Sequence, residues 1–241
     1  MNDEPSGTLG RALIEALQLL ASGDRALLDI LGLTLEVSLA ALLIAAVIGL
    51  PLGATLGLTN RLPLRGLVRA VLYTGMGLPP VVVGLFVYLL LSRAGPFGEL
   101  DWLFTVRAMV AAQTILALPL VVGLTWAAVE SVDPELRPQL LALGATRGQI
   151  AATILREARA GVLAAIAAAF GAAVSEVGAV MLVGGNIEGQ TRVLTTAIVL
   201  ETRRGRFALA CALGLVLLLV SFVINLALLR AGERRTPAHA D

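Results

Sequence analysis

Five apolar blocks dominate the chain, over residues 30–58, 67–91, 106–129, 161–183 and 207–229. A helix needs about 20 apolar residues to cross the hydrocarbon core of a bilayer, and each block meets that requirement. Lipid offers no partner to a backbone amide or carbonyl, so such a block must satisfy its own hydrogen bonds as a helix. The sequence therefore predicts an all-α, polytopic integral membrane protein with about five transmembrane helices. Composition agrees: 58% of the 241 residues are hydrophobic and 15% are charged, against about 25% charged in ordinary soluble domains. A net charge of +1 gives no bias toward nucleic acid. The single cysteine, Cys211, excludes an intrachain disulfide and is expected as a small, buried packing residue. The single histidine, His239, lies in a polar tail, and no metal site is expected.

The first block contains Gly49, Pro51, Gly53 and Gly57, which predict interruptions that neighbouring helices must make good. Ahead of it, residues 9–21 place leucines at helical spacing, with Arg11 and Glu15 four apart. That pattern suits an amphipathic helix on the membrane surface or one packed on the first span. Met1 to Thr8 is polar and acidic, unlike the start of a cleaved signal peptide. The expected division is an N-terminal extracytoplasmic segment over 1–29, a transmembrane domain over 30–229 and a polar cytoplasmic tail over 230–241. Five spans place the termini on opposite sides. The side holding residues 60–69, 130–160 and the tail has ten arginines against eight. That excess assigns it to the cytoplasm, with the N-terminus outside. Asn60, Arg61 and Arg65 then read as anchors in a cytoplasmic turn.

The segment 131–158 is too polar for lipid and too periodic for an idle loop. Asp133-Pro134 predicts a helix start with proline at the first position. Leu136, Leu140, Leu141 and Leu143 follow, with Pro138 awkwardly placed for a helix interior. Gly144 predicts the helix end, and Thr146 with Gln149 three residues on predicts a capping box. Ile150, Ile154 and Leu155 carry a second helix toward the fourth block. Two short helices meeting at a glycine corner suit docking into a partner's groove, or simply connect two spans.

The stretch ALGATRGQIAATI, residues 142–154, resembles the EAA motif of permease subunits of ATP-binding-cassette importers, with Gly144 and Ile154 at the motif's glycine and isoleucine. Pro138, Gln139 and Leu140 stand at its Glu-Ala-Ala positions, and Arg156 and Glu157 at its Leu-Pro positions. GLPPVVVGL, residues 77–85, resembles a motif in the second span of molybdate, sulfate and tungstate permeases. Residues 175–205, SEVGAVMLVGGNIEGQTRVLTTAIVLETRRG, and LREAR at 155–159 are most similar to the tungstate permease family.

The resemblance implies the type I importer permease fold, a homodimer with its pathway on the two-fold axis, and a multi-pass place in the plasma (inner) membrane. It implies a cytoplasmic ATPase dimer docked on Leu140, Leu141, Leu143, Gly144, Ala145, Thr146, Arg147, Gln149 and Ile154, and an external solute-binding protein that delivers a tetrahedral oxyanion. ATP and Mg would belong to the ATPase, with no cofactor bound by this chain, which has no GxxxxGK[ST] phosphate loop. Tungstate is the expected substrate, with molybdate or sulfate as the alternative.

Glu176 stands out within the fourth block, where an acid costs about 2.5–3.5 kcal/mol on insertion scales. Small residues at Ala164, Ala168 and Ala172 precede it at four-residue spacing, and predict close helix approach on its face. It reads as a gate or as a structural acid bonded to nearby backbone, with Ser175 and Gly178 beside it. In GGNIEGQTR, residues 184–192, the glycines permit tight turns. Asn186, Thr191, Arg192, Thr195 and Thr196 offer polar groups, for a transient anion path or merely for a capped helix entry. Pro79 and Pro80 predict a break or kink in the second block, or a hinge there. Two other classes fit poorly. A gradient-driven secondary transporter would show internal repeats, and an intramembrane enzyme would need a nucleophile–base set that the spans lack.

Overall fold

Among the described residues every regular element is helical, as the apolar blocks require. The computed structural model describes residues 25–59 and 63–233, together with Gly10, Ile14, Leu17 and Gln18. Numbered from the first fully described helix, the elements begin with α1 (Arg25–Leu58), α2 (Arg65–Met76), α3 (Pro80–Leu91), α4 (Val106–Glu130) and α5 (Leu136–Ala142). They continue with α6 (Arg147–Glu157), α7 (Arg159–Val174), α8 (Gly178–Gly184), α9 (Leu194–Arg203) and α10 (Phe207–Glu233). Three helices, α1, α4 and α10, are long and apolar enough to cross a membrane alone. Counting α2 with α3 and α6 with α7 as broken spans raises the number to five. Leu43 and Val47 on α1, and Leu218 and Phe222 on α10, are about two-thirds exposed, apolar surface that lipid or a protein partner, not water, must cover. Cys211 on α10 is exposed too, not buried as expected.

The expected break at Pro79-Pro80 is present, and several other expectations need correction or placement. The second block is two helices, with Pro79 as the N-cap of α3 and Pro80 at its first position, where a missing amide leaves no bond unmade. The fourth block also breaks: α7 ends at Val174 and α8 begins at Gly178. Residues 194–203, which lie between the fourth and fifth apolar blocks, form α9, with Leu194, Ala197 and Glu201 recurring at helical spacing on its buried side. The surface helix over 9–21 falls outside the described residues except for Gly10, Ile14, Leu17 and Gln18, which are helical and exposed. Asn60, Arg61 and His239 also lie outside them, whereas α10 carries helix to Glu233, into the expected tail.

The chain divides into two compact units. One gathers the residues up to Ala41, Pro79–Gln113 and Gly171–Ile224. Its short helix α8 packs tightly on α3, because glycine at the contact lets the backbones meet. A Cβ on Gly84 would lie 2.6 Å from the Cα of Ala179, and one on Gly184 would lie 2.8 Å from the sulfur of Met109 on α4. A second core joins Leu27 of α1 to Leu194 and Ala197 of α9 and to Leu213 and Val216 of α10.

The other unit gathers Leu42–Leu78, Thr114–Phe170 and the residues from Asn225. Here α1 runs on through Pro51 and is not interrupted by its glycines. Gly49, Gly53 and Gly57 recur every fourth residue and form one face, against which α4 lies with Val121, Val122, Thr125 and Val129. The expected interruptions are thus a close-packing row, the arrangement small residues permit between apolar helices.

Candidate functional site

The helix–corner–helix of 136–157 is built by local hydrogen bonds. Asp133 accepts the amide of Glu135 on its side chain (2.9 Å) and that of Leu136 on its carbonyl (3.1 Å). Because α5 starts at Leu136, Pro138 lies in the first turn, where amides have no intrahelical partner. That removes the difficulty its position posed. Gly144 is left-handed, φ 78°. The amide of Ala145 bonds the carbonyl of Leu140, and that of Gly144 bonds Leu141, both at 3.0 Å. This is a Schellman motif, which glycine accommodates without strain. Thr146 and Gln149 form the expected capping box: the Thr146 amide donates to Gln149 Oε1 (2.8 Å), and the Gln149 amide donates to Thr146 Oγ1 (3.4 Å).

Apolar packing seats this elbow. Ile150, Ile154 and Ala158 are buried with Val129, and Leu136, Leu140 and Ala145 pack against them. Leu143 is 82% exposed and Leu141 56%, and Gly144, Thr146, Arg147 and Gln149 are exposed beside them. Of the residues expected to meet an ATPase, then, Ile154 lies in the core and Leu140 and Ala145 are half-buried, whereas the rest present an open face. From α6 the chain bends by 58° into α7.

In the other unit, Glu176 lies in the break between α7 and α8 and not within a helix, which corrects its expected setting. Its carboxylate accepts the amide of Ala179 (2.8 Å), and its carbonyl accepts the hydroxyl of Thr195 (2.9 Å). The alanine row does not lead to it either: Ala164, Ala168 and Ala172 are exposed, and Ala165, Ala169, Phe170 and Ala173 form the buried face of α7. The two breaks abut, since a Cβ on Gly178 would lie 2.7 Å from Cγ2 of Val81, the residue after Pro79-Pro80. Ser175 is exposed alongside. Glu176→Ala should destabilise the protein by about 1–3 kcal/mol through an unsatisfied buried amide. Glu176→Gln keeps an acceptor oxygen and should unfold within about 1 kcal/mol of wild type. Thermal unfolding of the detergent-extracted protein checks both.

The loop 184–192 is closed on itself. Gly185, Asn186 and Gly189 are left-handed. Thr191 donates its hydroxyl to Gly184 O (2.5 Å) and accepts the amide of Ile187 (2.9 Å). The amides of Thr191 and Arg192 both turn to Ile187 O. Thr196 caps α9 by accepting the amide of Val193 (3.1 Å), and Thr34 of α1 accepts that of Leu194 (2.9 Å). Arg192 pairs with Glu188 (3.2 Å). Among the described residues, the neighbouring cleft, about 530 Å³, is lined by Asp29, Glu36 and Glu188 and by one arginine, Arg192. Thr191, Thr195 and Thr196 thus direct their hydroxyls to backbone carbonyls, and the amides of Gln190, Thr191 and Arg192 turn to Ile187 O. Asn186 Oδ1 and Arg192 Nε are buried with no hydrogen-bond partner among the described residues.

Sequence reasoning missed Gln113, which donates to Ala173 O (3.0 Å) and so holds the end of α7 at its break. An amide within an otherwise apolar run was the signal. It also missed Glu201, itself buried, which pairs with the exposed Arg204 and Arg206 at 3.2 and 2.5 Å.

Comparison with known proteins identifies this arrangement. A family model described as the binding-protein-dependent transport system inner membrane component matches residues 49–235. The chain is 45% identical over 204 residues to a probable anion ABC transporter permease protein of Haloferax volcanii, covering 83% of this chain and 88% of that one. It is 43% identical over 210 residues to the tungstate uptake system permease protein TupB of Peptoclostridium acidaminophilum, covering 87% and 92%. The molybdenum transport system permease protein ModB of Escherichia coli is 31% identical over 207 residues, covering 80% and 90%. In fold, the chain superposes on a chain of the inward-facing MetNI methionine ABC transporter with a TM-score of 0.71 at 20% identity, over 88% of this chain and 97% of that one. The fold is that of the type I importer permeases, and the chain belongs to the family of binding-protein-dependent transport system inner membrane components.

Proposed function

We propose that this chain is the permease subunit of an importer that carries tungstate, a tetrahedral oxyanion, into the cell. The observation that carries the reading is its 43% identity, over 92% of that protein's length, to a tungstate uptake permease. The 45% identity to an anion permease points to the same substrate class. The protein is a multi-pass component of the inner membrane and works with an ATPase and a solute-binding protein on separate chains. It functions as a homodimer, with the elbow and C-terminus in the cytoplasm and the N-terminus outside. ATP and Mg bind the ATPase, whose dimer grips the exposed face of Leu141, Leu143, Gly144 and Arg147. Closure of the ATPases draws the two elbows together and turns the pathway outward, and hydrolysis returns it inward. Such a cycle requires each state to be stabilised differently by nucleotide. The abutting breaks at Pro79-Pro80 and Ser175–Gly178 are the moving parts of the gate. Thr191, Thr195 and Thr196 already donate their hydroxyls to backbone carbonyls, so selection among oxyanions falls to the binding protein.

Proteoliposomes holding this chain alone should take up no tungstate with ATP. Adding the cognate ATPase and binding protein should establish uptake that tungstate competes for better than molybdate or sulfate. ATP-driven uptake by the lone chain would overturn the subunit assignment, and stronger competition by molybdate would overturn the substrate.

A further inference from the structure

Glu130 ends α4, and Arg65 begins α2, with Arg69 one turn on. Each opposes its own helix, because a helix carries partial negative charge at its C-terminus and partial positive charge at its N-terminus. In the fold they meet. Arg69 Nη2 donates to Glu130 Oε1 at 2.9 Å and Oε2 at 2.7 Å, and Arg65 donates to the same Oε1. Both guanidinium groups also lie over the ring of Trp126, one turn earlier on α4, at 5.6 and 5.0 Å. The arginine side chains are 36% and 40% exposed, and ion pairs that open to solvent add little to stability. What a shared carboxylate fixes is direction.

This cluster shares a cleft of about 510 Å³ with Leu58, Asp133 and Arg137. Arg137, on the elbow helix α5, donates to the carbonyl of Leu58 (3.1 Å), the last residue of α1. One arginine of the elbow thus holds the end of α1. At the other side of the cleft, Glu130, next to the buried Val129 on which the elbow is seated, holds the start of α2. Any displacement of the elbow bears on this joint, and α2 leads along the chain to the break at Gly77–Pro79.

We propose that Arg65, Arg69 and Glu130 form a clasp that passes elbow displacement to α2, making them positioning residues for the coupling of ATP hydrolysis to uptake. The proposal rests on the reading of the chain as an ABC permease. The experiment uses the complete complex with ATPase and binding protein in proteoliposomes, and measures tungstate uptake and ATP hydrolysis on the same sample. Wild type is run first: absence of ATP-driven uptake there would sink the permease reading before any variant is made. In a coupled complex, Glu130→Gln and Arg69→Glu should each lower uptake per ATP hydrolysed by about tenfold, within the range seen for residues that carry coupling. The exchanged pair, Arg69→Glu with Glu130→Arg, again sets two guanidinium groups around one carboxylate. It should bring the ratio back to within about threefold of wild type, as double-mutant cycles do for a direct partnership. A merely structural role would reduce assembly, uptake and hydrolysis together and leave the ratio alone. Unchanged ratios in the single variants, or an exchanged pair no better coupled than Arg69→Glu, overturn the proposal. Should the single variants fail to assemble, the exchanged pair decides by itself: assembly with coupling supports the clasp, and assembly without it refutes it.

Discussion

Gly84→Leu should leave little folded protein in the membrane. A Cβ at that position would sit 2.6 Å from the Cα of Ala179 and 3.2 Å from a methyl of Leu182. The first of these is backbone, so no rotamer change relieves it, and α3 must move off α8. Overpacking of this kind costs about 1–3 kcal/mol or more. The damage also spreads, because α8 is fixed on its other side by Gly184 against Met109 and is followed by the closed loop bonded through Thr191. A loss of about 1–2 kcal/mol is enough to change abundance several-fold in a marginally stable protein. Gly32→Leu is the control, since a Cβ at Gly32 on α1 meets nothing within 4 Å. Size-exclusion of detergent extracts should show a monodisperse peak for Gly32→Leu and a peak at least about fivefold smaller for Gly84→Leu. Equal recovery of the two would mean that the α3–α8 contact tolerates separation.

Gly144→Val should act differently: the protein accumulates and the transport cycle fails. Nothing lies within 4 Å of a Cβ at Gly144, but its φ is 78°. An L-residue held left-handed costs about 1–2 kcal/mol, and a β-branched one more, so the corner re-forms with another geometry. The exposed Leu143 and Arg147 on either side then lose their relative placement. Uptake by the reconstituted complex should fall by about tenfold, because a misplacement of about 1 Å can cost two orders of magnitude where geometry governs a step. ATP hydrolysis should persist, now divorced from transport. Gly148→Ala, in open space within α6 and outside the left-handed positions, should leave uptake within about twofold of wild type. Wild-type uptake by Gly144→Val would separate the corner from coupling.

The elbow was legible because its rules are local. An aspartate before proline, a glycine at the end, and threonine followed by glutamine each fix a hydrogen bond within a few residues, and all of them form, although α5 begins at Leu136 and not at the expected Pro134. The apolar blocks were legible because lipid forces helix on them. What the sequence hid depends on partners distant along the chain. Gly49, Gly53 and Gly57 look like weak points until α4 lies along them. Glu176 looks like an acid within a span until Thr195, nineteen positions later, draws its carbonyl and the helix stops at Val174. Thr191 and Thr196 look available to an anion until the backbone claims both hydroxyls. Arg65, expected as an anchor in a turn, instead begins α2 and meets Glu130 together with Arg69, and an ion pair between residues more than sixty apart leaves no spacing to detect.

The Schellman turn at Gly144 and the capping box at Thr146 are made wholly of bonds between residues no more than five apart. Their geometry owes nothing to how the long helices tilt. In the proposed transport cycle the corner therefore behaves as a stiff lever arm, delivering a push from the ATPase with little lost motion. The give in the machine lies instead at the hinges beyond it, where helices have been cut.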